Sequence, residues 1–440
     1  MKNKVFLAIL IITGFSFYGN AQDFDQEKLD NYFQLLEKND RFQGSIAVAK
    51  DGNLKYSKSI GYADIKSGKK ATENTKFRIG SISKTFTTVL ILQAIERNKL
   101  LLNQTIDIYF PTIQNAEKIT IKHLLNHRSG IHNFTDDQEY SDWNTKEKTK
   151  DEMIEIISLS GSDFAPGTKA DYSNSNFVLL TYILEKIYKI SYKEILNQDI
   201  VEPLGLKTTY YGDEIAIDNN ESYSYFYNNN WTLAPETHHS IPLGAGGIVS
   251  TPSDLIMFAD NLFNGNLLGK ESFELMKTIE DGYGIGLFRI PFYDHTGYGH
   301  TGGIDGFSSV LAYFPKEKVC FALTSNGTRL NNNDITITVL SAIFNKPFNL
   351  PEFSNYRVNP KDFALYLGSY SSEQIPLTIT IFVENDILYA QGSGQSPFAL
   401  EAIDKNKFKY DQAGIEIEFV PSKKVMLLRQ GGAEYKFNRG

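Results

Sequence analysis

The sequence predicts an α+β fold: an antiparallel sheet flanked by helices and a helical subdomain, followed by a small all-β, barrel-like domain. Three observations support this prediction. Strand patterns with period-two alternation occupy residues 42–64 and return at 282–290 and 306–327, and helical patterns fill much of the chain between them. Strands at both ends of a domain favour a single sheet that joins the two ends. Short alternating runs separated by turn residues then fill residues 361–440, as is typical of a small barrel.

Turn and helix signals justify the individual elements. Asp51-Gly52 is a strong hairpin signal between the first two strands, and residues 315–318 form a second turn. From Ser81 the pattern becomes nearly continuous apolar sequence over about five turns, which predicts a helix buried on most sides. Three prolines in residues 345–360 indicate a linker. We therefore predict domains at 22–345 and 361–440, joined by a linker at 346–360.

The first 21 residues have the pattern of a cleaved secretion signal. Lys2 and Lys4 precede an apolar run at 5–17, and small residues follow up to Ala21. A run of about 13 apolar residues is too short to span a bilayer. We predict cleavage after Ala21 and a periplasmic or secreted bacterial protein.

Composition excludes some functions. The formal net charge of −8 disfavours binding to nucleic acid or to anionic lipid. The single cysteine, Cys320, cannot form an intrachain disulfide and is expected to be a buried small hydrophobe. His123 and His127 have the i,i+4 spacing of a zinc motif, but Leu124 stands where that motif requires glutamate, so a structural role is expected and no metal or cofactor is predicted.

A serine and a lysine in "RIGSISKTF" form the motif S-x-x-K. Ser81 and Lys84 would share one face of a helix, whereas the neighbours Ser83 and Lys84 would point apart. A second copy, Ser67 to Lys70, lies in a polar turn with no apolar helix behind it. Serine is also a preferred helix N-cap, so the motif alone leaves a capping role open.

Two further motifs follow in the chain. Y-x-N at Tyr172 and Asn174 stands just before an apolar helix. H-T-G occurs at His295 and again at His300, and only the second copy continues directly into glycine, Gly303, and then into a strand hairpin. Glycines at this point would let another segment or a ligand approach the strand edge closely.

The ordered set S-x-x-K, Y-x-N and H-T-G resembles the serine β-lactamase and penicillin-recognising D,D-peptidase family, in particular its class C β-lactamase branch. Flanking stretches such as "ITIKHLLNHRSGI" and "GAGGIVSTPSDL" are also similar to that family. The resemblance covers roughly residues 30–345. The C-terminal β domain resembles, more loosely, the lipocalin-like appendage of some family members.

The resemblance implies a role for each motif residue. Ser81 would be the acylated nucleophile, and Lys84 would sit beside it, neutral or sharing a proton. Tyr172 would be the general base, with its phenolic pKa lowered by the nearby lysine. Asn174 would hydrogen-bond Lys84 and the acyl-side amide of the substrate.

The third motif would complete the substrate site. The backbone N–H groups of Ser81 and Gly303 would form the oxyanion hole, beside Gly302, and Thr301 would face the leaving side of the substrate. His300 replaces the lysine of most β-lactamases in this branch, and a neutral imidazole attracts a carboxylate less than an ammonium does. Gly303 replaces a residue that often carries a hydroxyl.

These departures from the family pattern favour peptidase or esterase chemistry over penicillin hydrolysis. The sequence predicts an exported serine hydrolase that forms an acyl-enzyme with an amide or ester, such as a cell-wall D-amino-acid peptide or a small ester. Two alternatives remain open: a weak class C-like β-lactamase, and a penicillin- or peptide-binding sensor or scaffold without turnover.

Overall fold

The structure is a computed structural model that describes residues 24–440, except 229, 354, 355, 357, 385, 386 and 396. The predicted secretion signal, residues 1–21, lies outside the described residues. Within the described part of the chain, no helix combines the length and apolarity needed to cross a bilayer.

The α-helices that the described residues form all lie before residue 345. Their bounds are α1 Gln26–Lys38, α2 Ser83–Glu96, α3 Ile121–Leu125, α4 Tyr140–Trp143, α5 Lys150–Ser160, α6 Asn174–Tyr188, α7 Tyr192–Leu196, α8 Glu202–Leu204, α9 Leu243–Gly246, α10 Pro252–Phe263, α11 Lys270–Lys277 and α12 Asn332–Ile343.

The strands fall into two groups along the chain. The first group is β1 Phe42–Lys50, β2 Asn53–Ile60, β3 Tyr62–Asp64, β4 Lys69–Lys70, β5 Phe77–Arg78, β6 Tyr210–Tyr211, β7 Tyr225–Asn228, β8 Asn230–Leu233, β9 Ile248–Ser250, β10 Phe288–Phe292, β11 His295–Ile304, β12 Phe307–Phe314 and β13 Val319–Thr328. The second group is β14 Gly368–Ser371, β15 Thr378–Glu384, β16 Ile387–Gly392, β17 Phe398–Ala399, β18 Glu401–Asp404, β19 Lys407–Tyr410, β20 Ile415–Val420, β21 Val425–Gln430 and β22 Ala433–Arg439.

The main sheet joins the two ends of the first group, as predicted. Its strand order is β10-β11-β12-β13-β1-β2, and every neighbouring pair is antiparallel. One expectation is wrong in part: residues 282–287 are not a strand, and β10 begins at Phe288. Gly286 there has φ +68°, and a Cβ on it would lie 2.1 Å from the hydroxyl of Thr88, so the chain turns against α2 instead of extending.

Helix α2 is the centre of the larger core. It is buried from Ser83 to Ala94, as its continuous apolar sequence predicts. It starts two residues later than expected, because Gly80–Ile82 forms a short 3-10 turn before it. The core around α2 fills one face of the main sheet, and α1 and α12 cover the other face.

The C-terminal strands form one nine-stranded antiparallel sheet with a separate hydrophobic core. Its two outermost strands, β17 and β18, are consecutive in the chain and are separated only by Leu400. The two edges of the sheet therefore lie close together, and the sheet is a nearly closed barrel, as predicted.

Candidate active site

Ser81 lies in the 3-10 turn that packs against strand β11. Two glycines permit this contact. A Cβ on Gly80, which has φ +50°, would lie 2.7 Å from the backbone N of Gly303, and a Cβ on Gly302 would lie 2.0 Å from the backbone O of Ile79. Because neither residue has a side chain, the turn and the strand touch, and Ser81 and Gly303 line the same cavity.

The alternative that these serines only cap a helix is wrong. Neither the 3-10 turn nor α2 has a side-chain N-cap hydrogen bond. Ser83 is fully buried, and its hydroxyl accepts a hydrogen bond from the N–H of Ile248 at 3.1 Å, which ties α2 to β9. Ser67 is in an exposed turn. Of these three serines, Ser81 is the one whose hydroxyl lies within hydrogen-bond distance of Lys84 Nζ, at 3.1 Å.

Lys84 is completely buried, and its Nζ has three polar neighbours: Ser81 Oγ at 3.1 Å, Asn174 Oδ1 at 2.7 Å and Ala245 O at 2.7 Å. Burial lowers the pKa of Lys84 well below its ordinary value, which favours the neutral amine. A neutral amine has two N–H bonds and one lone pair. Since the oxygens of Asn174 and Ala245 can only accept, they take both N–H bonds, and the lone pair faces the hydroxyl of Ser81.

The orientation of Asn174 is fixed by its own partners. Its Nδ2 donates to Asn133 Oδ1 at 3.2 Å and to Thr135 Oγ1 at 3.1 Å, and its backbone N–H donates to Asn133 Oδ1 at 2.9 Å. The amide oxygen therefore points to Lys84, as the resemblance implies. Asn174 is the first residue of α6, so the helix start carries it to the site.

Tyr172 lies beside Ser81 and Lys84, but the predicted lowering of its pKa is wrong. Burial raises the pKa of Tyr172, and the opposing hydrogen bond with Ser81 is the smaller effect. The Nζ of Lys84 is 4.9 Å from the ring centroid, yet a neutral lysine supplies no charge to favour a phenolate. Tyr172 therefore keeps its proton at rest and can act as a proton donor.

His300 is neutral, but it does not line the cavity as a direct substrate contact would require. Its side chain is buried, Nδ1 lies 2.5 Å from the carbonyl O of Thr301, and the ring packs edge-on against Phe288 at 4.7 Å. Burial is the main cause that lowers the pKa of His300 to about 3. The side chain of Thr301 lies on the opposite face of strand β11 and is exposed.

The competing H-T-G copy lies at the other end of β11. Its His295 pairs with Glu317 at 2.8 Å and stacks on Phe344 at 4.1 Å, away from Ser81. Strand β10 pairs with β11 only from His295 to Gly299. The second copy, residues 300–302, lies beyond the part of β11 that pairs with β10. This part of β11 therefore presents a strand edge beside the 3-10 turn.

A cavity of about 530 Å³ opens beside Ser81, Asn174 and Gly303. Phe226 of the β7–β8 hairpin forms part of the cavity wall. The one charged residue among the described residues that line this cavity is Asp305.

Asp305 Oδ1 accepts hydrogen bonds from the backbone N–H and the hydroxyl of Thr237, at 3.0 and 2.6 Å. Its Oδ2 is buried without a hydrogen-bond donor, 3.7 Å from Arg78 Nη1. Burial raises the pKa of Asp305.

Histidines outside the H-T-G motifs have structural contacts. The Nδ1 of His123 accepts the N–H of Thr120 at 3.3 Å in a capping box. His127 is buried and stacks on Tyr172. No cluster of metal-ligating side chains occurs in the part of the chain that the structure describes.

Three contributors to the site were not predicted from the sequence: the carbonyl of Ala245, the side chain of Asn133 and Asp305. The glycine-rich run around Ala245 signals close backbone approach and could have indicated the first. Asn133 and Asp305 carry no local signal, because their roles depend on segments distant in sequence.

The chain is similar to known proteins over most of its length. The beta-lactamase family model matches residues 29–343. A teichoic acid D-alanine hydrolase of Staphylococcus aureus (strain MRSA252) is 30% identical over 75% of this chain and 81% of its own length. A penicillin-binding protein of Bacillus subtilis (strain 168) is 25% identical over 93% of this chain and 97% of its own.

Among solved structures, a D-stereospecific amidohydrolase from Streptomyces sp. is 25% identical and matches with a TM-score of 0.63. That match covers 72% of this chain and 99% of the amidohydrolase. The family match spans well over half of the chain, and it includes all three motifs. The chain belongs to the beta-lactamase family and is a serine hydrolase.

Proposed function

We propose that this protein is an exported hydrolase that cleaves D-aminoacyl esters or amides through an acyl-enzyme on Ser81. The observation that carries the proposal is the buried Lys84, whose Nζ lies 3.1 Å from Ser81 Oγ and 2.7 Å from the oxygens of Asn174 and Ala245. In the neutral amine that burial favours, those two oxygens take both N–H bonds and leave the lone pair for the hydroxyl of Ser81. Serine is a poor nucleophile until a base takes its proton, and this lysine is placed to do so.

The acylation step follows from these contacts. Ser81 Oγ bonds to the substrate carbonyl carbon as its proton moves to Lys84 Nζ. The N–H groups of Ser81 and Gly303 stabilise the oxyanion, each donor being worth about 3 kcal/mol. When the tetrahedral intermediate collapses, the C–O or C–N bond to the leaving group breaks, Tyr172 protonates the leaving group, and Lys84 returns a proton to Tyr172. Water then attacks the ester on Ser81 by the reverse proton path.

The cavity favours a substrate with a free ammonium. A carboxylate substrate needs a cation, but the described lining has none, and the only charged residue there is Asp305, whose buried Oδ2 pairs with Arg78 at 3.7 Å. D-alanyl esters carry an ammonium next to the reacting carbonyl, whereas penicillins and D,D-peptides carry a carboxylate. The names of two relatives, a teichoic acid D-alanine hydrolase and a D-stereospecific amidohydrolase, agree with this class.

We further propose that residues 22–345 form the hydrolase domain, that 346–360 link it to the barrel domain of 361–440, and that the mature protein begins at Gln22 in the periplasm or outside the cell. The lysine-led apolar run before Ala21 supports export. N-terminal sequencing of protein recovered outside the cytoplasm should give Gln22, and a start at Met1 would contradict export by this signal.

The substrate test compares the kcat/KM values of a D-alanyl ester, its N-acetylated form, its L-alanyl counterpart and a cephalosporin. We expect the free D-alanyl ester to be preferred about tenfold over the N-acetyl ester, and Asp305→Asn to remove that preference. Asp294→Asn is the matched control, because Asp294 is exposed and lies outside the cavity lining. Faster cleavage of the cephalosporin would favour the β-lactamase alternative, and the absence of any turnover would favour the sensor.

A further inference from the structure

His127 contacts Tyr172 and the residues on either side of it, and the reaction described above gives these contacts no role. Its backbone O accepts the N–H of Asp171 at 2.8 Å, and its ring Nδ1 accepts the N–H of Ser173 at 3.2 Å. The ring itself stacks on the ring of Tyr172, with centroids 4.5 Å apart and planes 29° from parallel. One residue thus holds the N–H of Asp171, the N–H of Ser173 and the side chain of Tyr172 between them.

The backbone of His127 is adapted to this arrangement. Its φ of +58° is in the left-handed region, which non-glycine residues enter at a cost of about 1 kcal/mol. Such an outlier persists when surrounding contacts over-determine it, and it points to a function for the residue. In this conformation the backbone carbonyl of His127 reaches Asp171, and the ring of His127 reaches Tyr172 and Ser173.

The ring is also held from its other sides. Phe177 and Tyr283 lie 5.4 and 5.5 Å from it, centroid to centroid, and Asn176 Nδ2 lies 3.5 Å from Nδ1. His127 is only 3% exposed, so no solvent competes for these contacts. Because Nδ1 accepts from Ser173, the ring proton is on Nε2.

We propose that His127 is a positioning residue that fixes the hydroxyl of Tyr172 against Ser81, so that the tyrosine can deliver its proton to the leaving group. This proposal rests on the proposed function, in which Tyr172 is that donor. Tyr172 precedes α6 and is not part of it, so no helix holds its side chain in place. The contacts from His127 supply that rigidity instead.

The leaving group provides a selective test. A methoxide leaving group is strongly basic and needs a proton as the C–O bond breaks, whereas p-nitrophenolate departs without one. We expect His127→Asn, which keeps an acceptor and tolerates the left-handed backbone, and His127→Phe, which keeps a ring, to lower kcat/KM for D-alanyl methyl ester about 10- to 100-fold. The same variants should lower kcat/KM for D-alanyl p-nitrophenyl ester less than about threefold.

The matched control is His132→Asn. His132 lies on the same loop, but its ring pairs with Asp137 and Asp163 at 3.2 and 2.9 Å and does not contact Tyr172. It should leave both rates unchanged.

A double-mutant cycle separates positioning from a general structural role. If His127 acts through Tyr172, His127→Asn should add no further loss to Tyr172→Phe on the methyl ester. Equal losses on both esters, or additive losses in the cycle, would overturn the positioning role while the hydrolase function stands. A wild-type enzyme inert toward both esters would instead overturn the proposed function, and this proposal with it.

Discussion

The two parts of the chain bury different kinds of side chain. Before residue 345 the core contains Lys84, His127 and His300, each 3% exposed or less, together with many buried serines, threonines and asparagines. Among the described residues of the C-terminal barrel, no polar or charged residue is buried, and the core there is aliphatic and aromatic.

All seven histidines and both tryptophans of the chain also lie before residue 345. Burying an ionisable group costs free energy unless it is neutralised and hydrogen-bonded. In the larger part, the buried ionisable side chains lie near Ser81, where neutral bases can serve the reaction. The described residues of the barrel include no such site, so the barrel sequence can follow a simple apolar alternation.

The largest expected effect is the loss of activity at Ser81, which tests whether catalysis depends only on the polar core of the larger part. Ser81→Ala should lower kcat/KM for any substrate at least about 10³-fold, because no other group can form the acyl-enzyme. Ser67→Ala should retain nearly full activity. Ser83→Ala should retain most activity but unfold at a lower temperature, since the N–H of Ile248 loses its acceptor. Equal activity losses in all three variants would contradict the assignment of the nucleophile.

Acid should destabilise the polar part first. The folded pKa of His300 is lowered to about 3 from an ordinary 6.5, so the unfolded chain binds a proton that the folded chain excludes between these values. His300 therefore contributes stability that is fully present above pH 6.5 and is lost as pH falls toward 3, by up to about 1.4 kcal/mol per pH unit. His127, whose pKa burial also lowers, acts with the same sign.

Because both tryptophans lie in the larger part of the chain, two spectroscopic signals can distinguish the unfolding of the two parts. Fluorescence of Trp143 and Trp231 reports only on the larger part, whereas far-ultraviolet circular dichroism reports on both. We expect fluorescence-detected unfolding free energy to fall between pH 6.5 and 4.5, and His300→Gln to reduce that slope relative to wild type. An unchanged slope in the variant would show that His300 is not the group responsible.

The same comparison explains how much of the molecule could be predicted from sequence. Local signals sufficed for the hairpin at Asp51-Gly52, for the burial of α2 and for the barrel strands, because alternation and turn residues are local properties. The pairing of Ser81 with Lys84 followed from helix geometry. The pKa of Tyr172 did not, because it depends on burial and on the protonation state of Lys84, and both arise from tertiary packing.

An intermediate effect is expected at the contact between the two parts. Arg41 is 5% exposed and forms a bidentate pair with Glu401 of β18, and Arg329 adds a second contact to Glu401 at 3.2 Å. Arg41→Met should lower the unfolding free energy by about 1–3 kcal/mol and separate the fluorescence and dichroism transitions, with little change in kcat. Arg429→Met removes an exposed pair within the barrel and should cost less than about 1 kcal/mol. Coincident transitions in Arg41→Met would show that this pair does not couple the two parts.

The smallest effect tests whether the barrel influences the substrate cavity. The hydroxyl of Tyr389 in β16 donates to Asn228 Oδ1 at 2.9 Å, at the end of β7. Phe226, two residues earlier on the same strand, lines the cavity, and residues i and i+2 share one face of a strand. Tyr389→Phe should loosen this wall and raise KM for a D-alanyl ester about twofold with kcat unchanged, because neither Ser81 nor Lys84 moves. Tyr370→Phe is the control, since its hydroxyl donates to Tyr366 O inside the barrel. A KM shift of the same size in both variants would mean that general weakening of the barrel, and not the contact with β7, alters substrate binding.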